Sequence, residues 1–179
     1  MQEAAYESSP GSGSAGPRIV VMGVSGSGKS TIGERIAESL GVPFVDGDSL
    51  HPAANVAKMS AGTPLTDEDR WPWLARVGQE LASSGATGLV VACSALKRSY
   101  RDAIVAEAPG TRFVHLTAAE SVLFGRMEHR SHFFPPALLH SQLATLQPLQ
   151  PDENGLTVDV DAPVDQVVAE AVAALRPRP

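Results

Sequence analysis

A strand, a glycine-rich loop and a helix follow one another between residues 18 and 41, and that succession constrains the fold more than any other feature of the chain. Residues 18–22 form a short β-branched run. Gly23, Val24, Ser25, Gly26, Ser27, Gly28, Lys29 and Ser30 then satisfy G-x-x-x-x-G-K-S, and Ile32, Ile36 and Leu40 recur at four-residue spacing before Gly41. Small residues let successive backbone N–H groups point inward as an anion nest, and the helix N-terminus adds its partial positive charge. In such a loop Lys29 reaches the β- and γ-phosphates of a nucleotide, Ser30 ligates Mg²⁺, and Thr31 completes the cradle.

The alternation continues along the chain. Pro43 to Val45 reads as a brief apolar strand running into Asp46, Gly47 and Asp48, so a polar loop is expected at that strand's carboxyl end. Thr66 with Asp69 resembles an N-terminal capping pair, after which Leu74, Val77 and Leu81 repeat at helical spacing until Gly85. Residues 89–93 form a continuous apolar strand of the kind buried on both faces, followed by a helical stretch from Ala95 to about Ala108. Residues 112–116 repeat the strand pattern, and Thr117 with Glu120 predicts a capping box opening a helix through Met127. At 129–136 the pattern breaks into basic, aromatic and proline residues, as a small lid would, before Leu139, Gln142, Leu143 and Leu146 resume a helical face. A last strand covers 156–160, and Val164, Val167, Val168, Ala171, Val172 and Leu175 give the cleanest helical stripe. This order predicts an α/β fold for residues 18–179: a five-stranded parallel sheet with helices on both faces, joined by right-handed crossovers, with ligands at the carboxyl ends of its strands.

The chain's 179 residues suffice for one such domain with a small insertion. Fourteen Lys plus Arg against twenty Asp plus Glu leave a net charge of −6, which repels a polyanionic duplex, so no nucleic-acid partner is expected. Apolar runs are only a few residues long against the roughly 20 needed to cross a bilayer, so no membrane span is expected. Residues 1–17 are rich in serine and glycine and lack a basic start and an apolar stretch; they read as a disordered tail rather than a secretory signal. Cys93 is the only cysteine, which excludes an internal disulfide, fits a cytoplasmic location and reads as an inert core thiol. His115, His129 and His140 show no metal-ligand spacing.

A phosphate loop specifies a nucleotide, not the use made of it. A dinucleotide fingerprint is disfavoured because Thr31 stands where its third glycine belongs, and a lysine inside the turn suits a triphosphate better than a pyrophosphate diester. A GTPase would carry Asn-Lys-x-Asp, and neither Asn55 nor Asn154 has such neighbours. An ATPase motor would end its third strand in an acid, whereas Val91 and Ala92 lead to Cys93 and Ser94. The acids follow the second strand instead. Asp46 and Asp48 can both face a cleft across Gly47, one ordering Mg²⁺ or its waters while the other accepts the proton of an acceptor hydroxyl.

These residues belong to a wider pattern. Val24 to Thr31, Asp46-Gly47-Asp48-Ser49-Leu50-His51-Pro52, Asn55, Lys58-Met59, Gly62, Pro64-Leu65, Asp67, Asp69-Arg70 and Pro72-Trp73-Leu74 are joined by Cys93-Ser94-Ala95-Leu96-Lys97, Tyr100-Arg101-Asp102, His132-Phe133 and Ser141-Gln142. Together they make the chain, from about Val20 to Leu175, resemble the gluconokinase family. The D-G-D-x-L-H-P and C-S-A-L-K segments are far more specific to that family than the phosphate loop. The resemblance implies a nucleoside-monophosphate-kinase-like P-loop fold, transfer of the γ-phosphate of ATP to the 6-hydroxyl of D-gluconate, the products 6-phospho-D-gluconate and ADP, and a homodimer.

A sugar acid calls for cations and polar donors in its site. Lys97, Arg98 and Arg101 cluster just past the third strand and Arg70 ends an acidic helix start, so Arg70, Lys97 and Arg101 are the expected carboxylate and hydroxyl binders, with Arg98 the most exposed member. Asp48 is the expected base and Asp46, with Ser30, the expected metal-associated acid. His51 is placed to hydrogen-bond a sugar hydroxyl. Gln142 faces the substrate by family analogy, although its spacing with Leu139, Leu143 and Leu146 also permits a core-edge amide. Arg126 and Arg130 fall where related kinases put arginines over ATP phosphates or adenine, Arg130 with a catalytic role. The family usually reads Arg-x-Gly-His-Phe where this chain has Arg130-Ser131-His132-Phe133, one residue shorter, and His132 is carried over as a substrate contact. Trp71 and Trp73 flank Pro72 and suit packing as well as ligand contact. Two other readings remain: a related P-loop kinase for another small hydroxy acid or sugar, shikimate-kinase-like, and a nucleotide-binding regulatory module without transfer activity.

Overall fold

The computed structural model describes residues 13–129 and 136–176. Its sheet begins with β1 (Arg18–Met22), whose Ile19 to Met22 are buried on both faces, as a β-branched central strand requires. The phosphate loop then leads into α1 (Lys29–Leu40), which buries Ile32 and Ile36 and ends on a left-handed Gly41. After β2 (Phe44–Asp46) come a 3₁₀ turn (Gly47–Leu50), α2 (Ala53–Ser60) and α3 (Asp67–Ser83). The remaining elements are β3 (Leu89–Ala92), α4 (Arg98–Glu107), β4 (Arg112–Thr117), α5 (Glu120–Glu128), α6 (Pro136–Thr145), β5 (Gly155–Asp159) and α7 (Val164–Leu175).

All pairings are parallel and the strand order is β2-β3-β1-β4-β5. One face of the sheet packs Ile19, Val21 and Val114 against α1 and α7; the other packs Val20, Met22 and Phe113 against Leu74, Val77 and Leu81 of α3 and Ile104 of α4. This is the expected five-stranded P-loop kinase fold. From β1 the chain moves one way to β2, and from β3 it moves the other way to β4, so the loops leaving these neighbouring strands diverge and open a crevice at their carboxyl ends. A smaller cluster of Val24, Leu96, Leu123 and Leu139 seats α5 and α6 beside that crevice.

Local departures from the sequence reading have identifiable causes. The Thr66–Asp69 capping box forms, with Thr66 Oγ1 accepting from Asp69 N at 3.2 Å and the Asp69 carboxylate accepting from Thr66 N at 2.9 Å. The expected box between Thr117 and Glu120 does not: Thr117 is the last residue of β4, its hydroxyl turns to Val158 O, and Ala119 is the N-cap of α5. The strand took the residue the helix needed. Helix α4 starts at Arg98 rather than Ala95, because Ala95 has a positive φ of 44°. Of the expected tail over 1–17, residues 1–12 lie outside the described residues, while Gly16 N donates to Gly85 O and Leu89 N to Pro17 O, both at 2.8 Å. Of the expected lid at 129–136, His129 caps α5 and Pro136 opens α6; residues 130–135, with Arg130 and His132, lie outside the described residues.

Candidate active site

The phosphate loop takes its shape from residues that only glycine fills at low cost. Gly26 and Gly28 have φ of 83° and 86°, and Gly28 is the N-cap of α1, so the loop turns its amides into the mouth of that helix. Ser27 is buried and donates to Val24 O at 2.7 Å, and Lys29 Nζ reaches Val24 O at 3.1 Å. Ser25 N donates to Oε1 of Gln142 at 2.7 Å, which ties α6 to the phosphate loop.

Asp46 and Asp48 stand across the crevice. Asp46 Oδ2 accepts from Ser30 Oγ at 2.9 Å, while its Oδ1 accepts from Asp48 N at 3.0 Å and caps the 3₁₀ turn. A Cβ on the intervening Gly47 would run into Ala92 O, so the turn's packing against β3 demands glycine. A serine hydroxyl and a carboxylate within hydrogen-bond reach suit Mg²⁺, which takes oxygen ligands and keeps much of its coordination for phosphate and water. Among the described residues no group of three or more His, Cys, Asp or Glu forms a metal cluster, so a fully protein-built site is not offered.

Asp48, His51, Arg70, Trp73, Ser94 and Gln142 line one cavity of about 440 Å³ beside the loop. Arg70 is held at its wall by Nη1 donating to Leu65 O at 2.8 Å. His51 stacks on Trp73 with ring centroids 4.1 Å apart, and Trp73 Nε1 donates to Gly47 O at 2.8 Å, so the indole pins the histidine and the aspartate turn together. Burial holds the His51 pKa below its ordinary value, opposed by Asp48 and reinforced by Arg70. Four of the expected acceptor contacts, Asp48, His51, Arg70 and Gln142, are therefore brought together.

The other cations behave differently. Lys97 does not line this cavity; its Nζ pairs with Asp67 at 3.1 Å, and Tyr100 Oη donates to the same carboxylate at 2.5 Å. Those two hydrogen bonds, Tyr100 first, hold the Asp67 carboxyl below its usual range. Arg101, expected as an acceptor contact, does not line this cavity either. It is 1% exposed, donates through Nε to Glu153 at 2.5 Å and through Nη1 to Ala95 O at 3.0 Å, and so braces the loop after β3 from within. Arg98 is bidentate to Asp152 at 2.8 and 2.9 Å on the surface. Arg126 donates to Val160 O and, with Gly28 and Thr31, lines a second cavity of about 230 Å³. Cys93 is fully buried, which pushes its thiol up to about 12 and leaves it inert.

Residues 19–149 match the family model described as an AAA domain. The chain is 43% identical over 170 residues to the thermosensitive gluconokinase of Escherichia coli (strain K12), with 90% of each chain covered. It is 45% identical over 157 residues to the gluconokinase of Gluconobacter oxydans (strain 621H), with 86% of this chain and 88% of that one covered. The chain belongs to the gluconokinase family. A crystal structure of a gluconokinase from Sinorhizobium meliloti 1021 superposes with a TM-score of 0.82 at 55% identity, covering 89% of this chain and 91% of that one. Within this gluconokinase architecture Asn55, Asp67 and Ser94, which the family pattern contains but to which the sequence reading gave no role, lie in or beside the cavity's framework. Their presence in that pattern was the available signal; the part Asn55 plays depends on contacts with α3 that no spacing rule supplies.

Proposed function

We propose that the protein transfers the γ-phosphate of ATP to the 6-hydroxyl of D-gluconate, giving 6-phospho-D-gluconate and ADP. One observation carries this reading: the acceptor cavity and the phosphate loop meet at Gln142, whose side chain lines the first and accepts from Ser25 N of the second. Loop amides and Lys29 hold the β- and γ-phosphates, where charge develops during transfer. Arg126 is assigned to the nucleotide because its cavity shares Gly28 and Thr31 with the loop. Ser30 and Asp46 would hold Mg²⁺, which would supply charge neutralisation at the phosphates. Asp48 accepts the proton of the 6-hydroxyl as that oxygen bonds to phosphorus and the bond from phosphorus to the ADP oxygen breaks. Arg70 offers a cationic fork to the sugar-acid carboxylate, His51 and Gln142 contact its hydroxyls, and Lys97 supports Arg70 from the shared Asp67.

Arg130 and His132 are assigned to the transferring phosphoryl group and the acceptor on the family resemblance alone. The same resemblance supports a homodimer, and the lone buried Cys93 supports a cytoplasmic location. No helix among the described residues is long and apolar enough to cross a membrane. Coupled ADP release measured across an acceptor panel tests the substrate assignment: D-gluconate is expected to give the highest kcat/KM, and preference for an acceptor without a carboxylate overturns it. Shikimate belongs in that panel as the principal rival.

A further inference from the structure

We infer that Asn55 is a positioning residue that fixes the tautomer of His51, so that the imidazole presents a neutral Nε2–H donor to the acceptor cavity. The inference rests on the proposed reaction only for the identity of the acceptor.

Asn55 is 4% exposed, the one buried residue of α2. Its Nδ2 donates to the backbone carbonyl of Asp69 at 2.9 Å and lies 3.2 Å from Nδ1 of His51. A carbonyl oxygen only accepts, so the end of the amide facing Asp69 is the NH₂, and its second proton is directed at His51. An NH₂ group only donates, so Nδ1 must be the accepting nitrogen and the imidazole proton sits on Nε2. The alternative tautomer, or the imidazolium, would set N–H against N–H in a half-buried site.

The partners are themselves fixed. The Asp69 backbone is held by the Thr66–Asp69 capping box, and its carboxylate is held by Lys58 Nζ at 2.7 and 2.9 Å. The plane of His51 is set by Trp73, stacked at an interplanar angle of 16°. The charged groups facing the ring are Asp48 from the 3₁₀ turn and Arg70 from α3, and Lys58 with Asp69 lies behind Asn55. Burial and Arg70 both favour the neutral ring that the amide requires. His51 is therefore a donor by construction, complementary to the oxygen of a hydroxyl or carboxylate and unsuited to act as a base at Nδ1.

Long-range proton–nitrogen NMR of the full chain labelled with ¹⁵N-histidine, with His51 assigned by His51→Gln, tests this. The expected result is the Nε2–H tautomer in the unliganded wild type. Asn55→Asp, whose carboxylate accepts from Nδ1–H, should invert it, and Asn55→Ala should give a mixture, with the His115 resonances unmoved as a check on folding. In steady-state assays Asn55→Asp should raise KM for D-gluconate about tenfold while KM for ATP stays put, since one donor to the acceptor is lost. An Nδ1–H tautomer in the wild type, or an unaltered tautomer in both variants, overturns the inference. An Nε2–H tautomer in a protein that does not phosphorylate gluconate supports the inference and sinks the substrate assignment.

Discussion

In the proposed reaction Lys29 serves the phosphate side of the crevice and Asp48 the acceptor side, so their loss should register differently. Lys29→Ala removes a cation at the transferring group and is expected to lower kcat about 10²–10³-fold. Asp48→Asn keeps the shape of the turn but cannot take a proton, and should lower kcat by about 10²–10⁴-fold while leaving KM for ATP near its wild-type value. Steady-state kinetics on both variants check this pair. Arg101 makes a contrasting case. Its replacement by leucine strands Glu153 in a buried site, which is expected to cost about 3–5 kcal/mol of stability, read as a lower urea midpoint, whereas Arg101→Leu with Glu153→Leu together should recover most of the loss. A substrate role would instead raise KM for gluconate in a normally stable protein. Sequence alone put Lys97, Arg98 and Arg101 in one basic cluster because spacing reveals sign and proximity. It does not reveal that three carboxylates, Asp67, Asp152 and Glu153, arrive from other elements to claim them one by one.

At the scale of elements, the phosphate loop and the aspartate turn were legible because their chemistry is written in consecutive residues. The capping box of α3 was legible for the same reason, and it has a measurable pH signature. The hydrogen bond from Lys58, followed by that from the Thr66 backbone, holds the Asp69 carboxyl near pKa 2, below its ordinary value of 3.8. A carboxylate with a depressed folded-state value stabilises the native state fully above its unfolded value and loses that contribution as pH falls towards the folded one. The wild type should therefore be more stable than Asp69→Asn at neutral pH, and the gap in urea midpoints should shrink progressively from about pH 4 to about pH 2. A gap independent of pH would contradict the ionic origin. The failed box at Thr117 shows the limit of such reading. The same letters are available to a strand end, and pairing of β4 with β5 through Thr117 and Asp159 decides the contest. Helix α2 escaped notice because eight residues with one buried position carry almost no periodic signal.

For the whole molecule, the strand order explains why motifs far apart in sequence act together. The loops after β1, β2 and β3 all emerge at one edge, and α6 returns across it to place Gln142 over the phosphate loop. That edge was predictable from the alternation of elements. The walls of the acceptor cavity were not: Met59 and Leu65 stand in the family pattern without an assigned role, Leu138 stands outside it, and the placement of all three depends on packing. The central claim, that this edge joins the end of ATP to the terminal hydroxyl of a sugar acid, is tested most directly by the product itself. Incubation with Mg-ATP and D-gluconate, followed by mass spectrometry and carbon–phosphorus coupling by NMR, should show one phosphate on C6 for each ADP formed, with Asp48→Asn giving almost none. Phosphate on another carbon, or ADP release that does not depend on gluconate, would contradict the account.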